Sequence, residues 1–310
     1  MNNYQWYPGH MAKALKTMRE DIKPVDVLVE LSDARAPEST RNPNITELSK
    51  GKIHILVLNK RDMADEEKTV QWLEYYKEMG VTAVAVDAKS KEDIKKVNSV
   101  IEKKISAKFS DADSRLAEAV KKAGGDLKKR TVRIMVTGIP NVGKSTFINS
   151  FAGKAGAKTG NRPGVTKGRQ WIRLRSGRDL MDTPGVLYVK PLSQDAGMRI
   201  AFIGSLNDNN LNIEELALDL IKWIMDHYPG RLSQRYGIDE NITDDQDTGI
   251  DPALTVMEAV GAKRGALKKG GITDYERTAI LILDDFRNLR LGPVTLETPD
   301  ETEGITDEKA

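Results

Sequence analysis

Eight residues, Gly138-Ile139-Pro140-Asn141-Val142-Gly143-Lys144-Ser145, follow the apolar run Arg133-Ile134-Met135-Val136-Thr137 and lead into Thr146-Phe147-Ile148-Asn149. A G-x-x-x-x-G-K-S spacing between a strand and a helix is the arrangement that cradles a phosphate chain. The glycines let backbone N–H groups turn inward, and the helix N-terminus adds partial positive charge. In such a loop Lys144 reaches the terminal phosphates and Ser145 holds Mg²⁺, with Asn141, Val142, Gly143 and Thr146 completing the lining.

Four further motifs narrow the chemistry. Asn59-Lys60-Arg61-Asp62 follows an apolar run, at the carboxyl edge where ligands sit in such sheets. A carboxylate at Asp62 accepts from both guanine N1–H and the exocyclic amine, a pair that adenine lacks. Asp62 therefore predicts selection of GTP, with Asn59 reaching the base and Lys60 lying along its ring. Asp87-Ala88-Lys89 supports the base through backbone contacts. In Asp182-Thr183-Pro184-Gly185, Asp182 supplies an acid to the Mg²⁺ shell and Gly185 a backbone N–H to the γ-phosphate. Thr166, within Arg162-Pro163-Gly164-Val165-Thr166, is the switch hydroxyl for the metal. Each motif alone reads equally as a surface turn; their joint occurrence at strand ends around one phosphate loop points to a GTPase.

The elements that must position these residues are visible in the hydrophobic pattern. Apolar runs predict strands at 25–31, 53–58, 82–86, 133–137, near 170–175 and at 178–181. Helices are expected at 11–20, with Met11, Ala14, Leu15 and Met18 on one face, around 45–49, at 66–79, and after Ser90. Ser90 with Asp93 resembles a capping box opening a stripe of Ile94, Val97, Ile101 and Ile105. A polar, lysine-rich helical stretch at about 111–129 then connects to the phosphate-loop strand. This alternation predicts an α/β, doubly wound domain over 1–191. Beyond it the β signal stops. Asn212 with Glu215 caps a stripe of Ile213, Leu216, Leu220 and Ile224, and Thr273 with Glu276 opens one of Ala279, Leu283 and Phe286. A small all-helical domain is expected over 192–291, then an acidic, disordered tail over 292–310.

Composition bounds the rest. Among 310 residues there is no cysteine, which excludes disulfides and thiolate metal sites. No apolar run approaches the roughly 20 residues that span a bilayer, and Met1–Trp6 lacks the basic and apolar regions of a signal peptide, so no membrane association and a cytoplasmic location are expected. The net charge of +2 conceals two acidic segments. Residues 239–251 carry six acids and no base, and 297–310 carry six acids and one lysine, leaving a basic remainder that suits a polyanion or, equally on charge alone, a surface of scattered solvated lysines.

The motif order is unusual, because the base-reading Asn59–Asp62 and its helper precede the phosphate loop. Chain termini often lie close together, so a sheet can close around a circularly permuted order. In this order the chain resembles the circularly permuted GTPases of the YlqF type. The resemblance is carried by Trp6-Tyr7-Pro8-Gly9-His10-Met11-Ala12-Lys13-Ala14, Asp33-Ala34-Arg35-Ala36-Pro37, Asn59–Asp62, Gly138–Ser145 and Asp182–Gly185, and extends to about residue 291. It implies a GTPase acting late in maturation of the large (50S) ribosomal subunit, with a C-terminal helical domain on ribosomal RNA. It also implies K⁺ as an activator, ligated beside the phosphates by Asn141. Related permuted GTPases of the small subunit carry a zinc module, which a chain with no cysteine and three histidines cannot build in the usual form.

Where Ras-like enzymes place a water-orienting glutamine, this chain has Val186. His10 is the candidate replacement, on its chemistry and on the resemblance; a helix cap is its other reading. Lys263, Arg264, Lys268 and Lys269 lie in a basic stretch without interleaved aromatics, which favours phosphate contacts with rRNA over base stacking. A GTP-dependent RNA-docking switch with incidental hydrolysis is the alternative function; Asn59–Asp62 argues against a metabolic P-loop kinase.

Overall fold

The computed structural model describes residues 16–122, 131–153, 170–174, 177–183, 193–240 and 251–301. Six strands form one sheet: β1 (Val27–Asp33), β2 (Ile53–Asn59), β3 (Ala83–Val86), β4 (Arg133–Gly138), β5 (Gln170–Arg173) and β6 (Asp179–Asp182). Their order is β3-β2-β1-β4-β6-β5, parallel except for the antiparallel β5–β6 pair. Every residue of β1 is buried, because a parallel strand in mid-sheet is covered on both faces.

The helices of the sheet domain are α1 (Pro43–Leu48), α2 (Glu66–Glu78), α3 (Lys91–Lys122) and α4 (Lys144–Ala152). Asn42 caps α1 and Asp65 caps α2. The predicted stripe of α3 is present, with Ile94, Val97 and Ile101 buried and Ile105 packed at the core edge. The helix runs on into the lysine-rich stretch, so that α3 continues to Lys122. Of the predicted N-terminal helix face, only Met18 lies among the described residues, and it is buried.

After β6 the described structure is helical: α5 (Gln194–Phe202), α6 (Ile213–His227), α7 (Arg231–Tyr236), α8 (Pro252–Arg264) and α9 (Tyr275–Arg287). Asn212 Oδ1 accepts from Glu215 N at 3.4 Å, an N-cap worth about 1 kcal/mol. Leu216, Leu220 and Ile224 are buried, as are Ala279, Leu283 and Phe286. The cap of α9 is Asp274, one residue beyond the expected Thr273, since its carboxylate accepts from Arg277 N. Two acids of the 239–251 stretch are structural. Glu240 accepts from Ser233 N at 2.6 Å and from Gly230 N, and Asp251 caps α8.

The expectation of a disordered tail fails for 292–301. Val294, Thr295, Leu296 and Glu297 are buried against the sheet domain, and a 3-10 turn follows at Pro299–Glu301. The apolar pair Val294 and Leu296 alternates with residues whose polar groups find distant partners, so acidity alone was a poor guide. Residues 302–310 lie outside the described residues.

Candidate nucleotide-binding site

The sheet register explains how a permuted order builds one site. Asn59 of β2 is level with Asp33 of β1 and Val86 of β3, Leu31 of β1 with Gly138 of β4, and Val136 of β4 with Asp182 of β6. These strands are parallel, so their carboxyl ends bring Asn59–Asp62, Asp87–Lys89, the phosphate loop and Asp182 to one edge.

The phosphate loop has no room for side chains at its two glycines. A Cβ on Gly138 would lie 2.5 Å from Leu31 O, and one on Gly143, whose φ is +92°, would lie 2.3 Å from Asn59 Nδ2. Asn141 is also left-handed, at φ +63°. Lys144 is buried and donates from Nζ to Ile139 O at 2.8 Å. Burial pushes its ammonium down to about 8, partly opposed by Asp182. Ser145 and Thr146 occupy the first turn of α4, where helix N–H groups face the loop.

Asn59 is 2% exposed and committed to the protein: Nδ2 donates to Val142 O at 2.7 Å and Oδ1 accepts from Ala88 N at 3.0 Å. It therefore clamps the phosphate loop to the 87–89 loop, rather than presenting its whole amide to a base. Asp87 accepts from Lys89 N at 2.8 Å and donates its own N–H to Asp93 Oδ2. Asp93 N donates to Ser90 Oγ at 3.3 Å, so only half of the expected capping box forms. Asp62 is exposed on the 3-10 turn Arg61–Met63, and partial burial and nearby Asp87 raise its carboxyl.

Lys60 does not lie free for a ring. From a left-handed backbone (φ +61°), its Nζ meets Asp33 Oδ2 at 2.8 Å. Asp33 is fully buried and also accepts from Arg35 Nε and Nη2, each at 2.9 Å. Burial raises the Asp33 carboxyl, but Arg35 and Lys60 outweigh this and hold it well below the usual carboxylate range. The Arg35 guanidinium lies over the Phe286 ring, 5.5 Å from its centroid. The Asp33-Ala34-Arg35 motif is visible in sequence, yet its partners Lys60 and Phe286 are not.

Asp182 is buried, and its Oδ1 has no hydrogen-bond partner among the described residues. Burial raises its carboxyl, with Lys144 opposing. An orphaned carboxylate oxygen on the strand beside the Lys144–Ser145 helix suits a hard divalent cation. Ser145 and Asp182 would hold Mg²⁺, which supplies charge neutralisation on phosphate oxygens. Thr166, Gly185, His10 and Val186 lie outside the described residues.

The loop also touches the helical part of the chain. Asn141 Nδ2 donates to Gly204 O, and Ser205 Oγ donates to Pro140 O at 2.8 Å. Arg287 of α9 holds the preceding helix end, donating to Phe202 O at 2.9 Å, Ala201 O at 2.8 Å and the Asp208 carboxylate. Neither Gly204 nor Ser205 carries a motif, so sequence offered no signal for this link.

Of the four basic residues expected on RNA, Lys263, Lys268 and Lys269 are exposed. Arg264 is exposed overall but engages its own chain, donating to Arg235 O at 3.0 Å and lying over the Tyr236 ring. Lys268 and Lys269 form a tight turn closed by Lys268 N donating to Ile272 O at 2.8 Å.

Residues 133–258 match the family model described as 50S ribosome-binding GTPase. A Ribosome biogenesis GTPase A of Priestia megaterium is 42% identical over 299 residues, covering 96% of this chain and 98% of that protein. The Bos taurus mitochondrial ribosome-associated GTPase 1 is 31% identical, covering 94% and 88%. The solved structure of GNP-bound YlqF from T. maritima superposes with a TM-score of 0.60 at 27% identity, covering 93% of this chain and 99% of that one. With the strand that leads into Asn59–Asp62 ahead of its phosphate loop in sequence but in the same sheet, this chain belongs to the circularly permuted, YlqF-type family of ribosome biogenesis GTPases.

Proposed function

We propose that the chain is an assembly factor that binds the large ribosomal subunit precursor in the cytoplasm, promotes its late maturation, and hydrolyses GTP faster when bound there. The observation that carries this reading is the direct contact between the phosphate loop and the helical region, through Asn141 to Gly204 and Ser205 to Pro140. A change at the γ-phosphate is then felt by the helical region, where Lys263 at the end of α8 and Lys268 and Lys269 in the following turn are exposed to a polyanion. The names of the relatives and the family description support a ribosomal partner. Among the described residues no helix is long and apolar enough to cross a membrane.

In this reading residues 1–191 form the GTPase domain and 192–291 the RNA-binding domain. Asp62 selects guanine, Lys144 draws the terminal phosphates, and Gly185 and Thr166 sense the γ-phosphate. On the subunit His10 orients the attacking water, since Val186 offers no polar group. The donor half of the Asn141 amide is spent on Gly204, which leaves its oxygen as the half that would face K⁺. Multiple-turnover GTPase rates with and without large subunits test the proposal, together with co-sedimentation in GDP and a non-hydrolysable GTP analogue. Subunit binding that depends on nucleotide, with a raised turnover, is expected. Equal turnover with and without subunits would leave only a docking switch.

A further inference from the structure

The turn that presents Asp62 is held within its own segment by two backbone bonds, Met63 N to Lys60 O and Ala64 N to Arg61 O. Lys60 Nζ on Asp33 and Arg61 Nη2, which donates to Asp93 Oδ2 at 3.3 Å, tie it to the sheet domain, and further support comes from the other end of the chain. Residues 294–297 return from α9 and bracket the turn: Val294 N donates to Met63 O at 3.1 Å, and Asp65 N donates to Thr295 Oγ1 at 3.0 Å. Leu296 N donates to Arg35 O at 2.7 Å, beside the Asp33–Lys60 ion pair.

Both ends of this strap are anchored. Thr295 N donates to the Tyr228 hydroxyl at 3.0 Å, and that hydroxyl also faces Asp65 Oδ2 at 3.4 Å. At the far end the Glu297 carboxylate accepts from Glu38 N at 2.6 Å, Ser39 N at 2.9 Å, Ser39 Oγ, and Arg199 Nη1 at 3.0 Å. Trp72 Nε1 donates to Glu297 O at 3.1 Å. The strap is buried throughout, whereas Asp62 itself is exposed. Hydrogen bonds weaken steeply with misalignment, so a carboxylate that must meet two guanine donors at once depends on the angle of its turn.

We propose that Thr295 is a positioning residue for guanine recognition: through Asp65 and Met63 the strap fixes the turn Arg61–Met63, so that the Asp62 carboxylate meets both guanine donors. The inference rests on the reading of Asp62 as the base-selecting residue. It makes the helical part of the chain, through Tyr228 and Arg199, a contributor to nucleotide selectivity.

The test uses the full chain and two nucleotides, GDP and inosine diphosphate, which lacks the exocyclic amine. Thr295→Val keeps the side-chain volume but removes the acceptor for Asp65 N, and should lower the preference for GDP over inosine diphosphate about three- to tenfold, with inosine diphosphate, which keeps N1–H, weakened by the smaller factor. Thr295→Ser restores the hydroxyl and the preference. Ser39→Ala, which removes one donor at the far anchor, shifts the ratio in the same direction and serves if Thr295→Val folds poorly. Equal weakening of both nucleotides, or no change in either, in both Thr295→Val and Ser39→Ala would overturn the proposal. Asp62→Ala separates the two levels: loss of preference there with none in the strap variants rejects the strap alone, whereas a preference kept in Asp62→Ala rejects the reading of Asp62 on which it rests.

Discussion

Replacing Asp33 by Asn changes charge at nearly constant shape, at a point where two cations converge. The Asp33 carboxylate is fully buried and accepts from Arg35 N at 3.1 Å, Arg35 Nε and Nη2 at 2.9 Å each, and Lys60 Nζ at 2.8 Å. An Asn amide keeps one accepting oxygen and turns a donor toward the remaining cationic donors. Breaking a buried pair from one side typically costs about 3–5 kcal/mol. The Lys60 side chain is 22% exposed and can reach water, which argues for the lower end, about 3 kcal/mol. The pH dependence has a definite sign. Arg35 and Lys60 outweigh burial and depress the folded carboxyl, so its stabilisation is complete above the unfolded carboxylate value and lost as pH falls toward the folded one. The gap between wild type and Asp33→Asn should therefore be widest at neutral pH and narrow by about 1 kcal/mol by about pH 3. Urea titrations followed by far-UV circular dichroism, repeated across that range, measure it. A gap below about 1 kcal/mol at neutral pH, or one that stays constant into acid, would refute the reasoning.

Asp62→Asn should exchange guanine for xanthine preference, because the xanthine 2-oxo group needs a donor opposite it; competition titrations with both nucleotides check this. Lys144→Ala should lose most nucleotide affinity and Ser145→Ala the Mg²⁺-dependent part, with unchanged circular dichroism; fluorescent-nucleotide titrations with and without Mg²⁺ read both. Reversing charge at Lys263, Arg264, Lys268 and Lys269 should weaken subunit binding and flatten its salt dependence. Arg264 is engaged by Arg235 O and Tyr236, and Lys268 Nζ lies 3.8 Å from Asp274 Oδ1, so the slope should fall by fewer than the four counterions of four free cations. His10→Ala should leave GTP affinity unchanged and cut subunit-stimulated turnover about 10²–10⁴-fold, measured in single turnover with saturating subunits.

The sequence by itself determined the parts whose physics is local. A phosphate cradle needs a contiguous turn between strand and helix, so Gly138–Ser145 was legible as a run of eight residues, and Asn59–Asp62 was legible as a turn at a strand's carboxyl end. Buried helix faces followed from hydrophobic periodicity, as in Leu216, Leu220 and Ile224 of α6. Partnerships across the chain were decided only by the tertiary structure. Asn59 looked like a base contact because its type and position said so, but register set it between Val142 O and Ala88 N. Asp33 and Arg35 carried no stated chemistry until parallel pairing set Asn59 level with Asp33 and brought Lys60 beside it. Glu297 read as part of an acidic tail, yet it is buried on Ser39, 258 positions away, and on Arg199, 98 positions away. Periodicity and spacing encode which face of an element is buried and which turns can bind phosphate. They do not encode which distant donor a buried carboxylate will meet, because that depends on how the sheet and the helices dock.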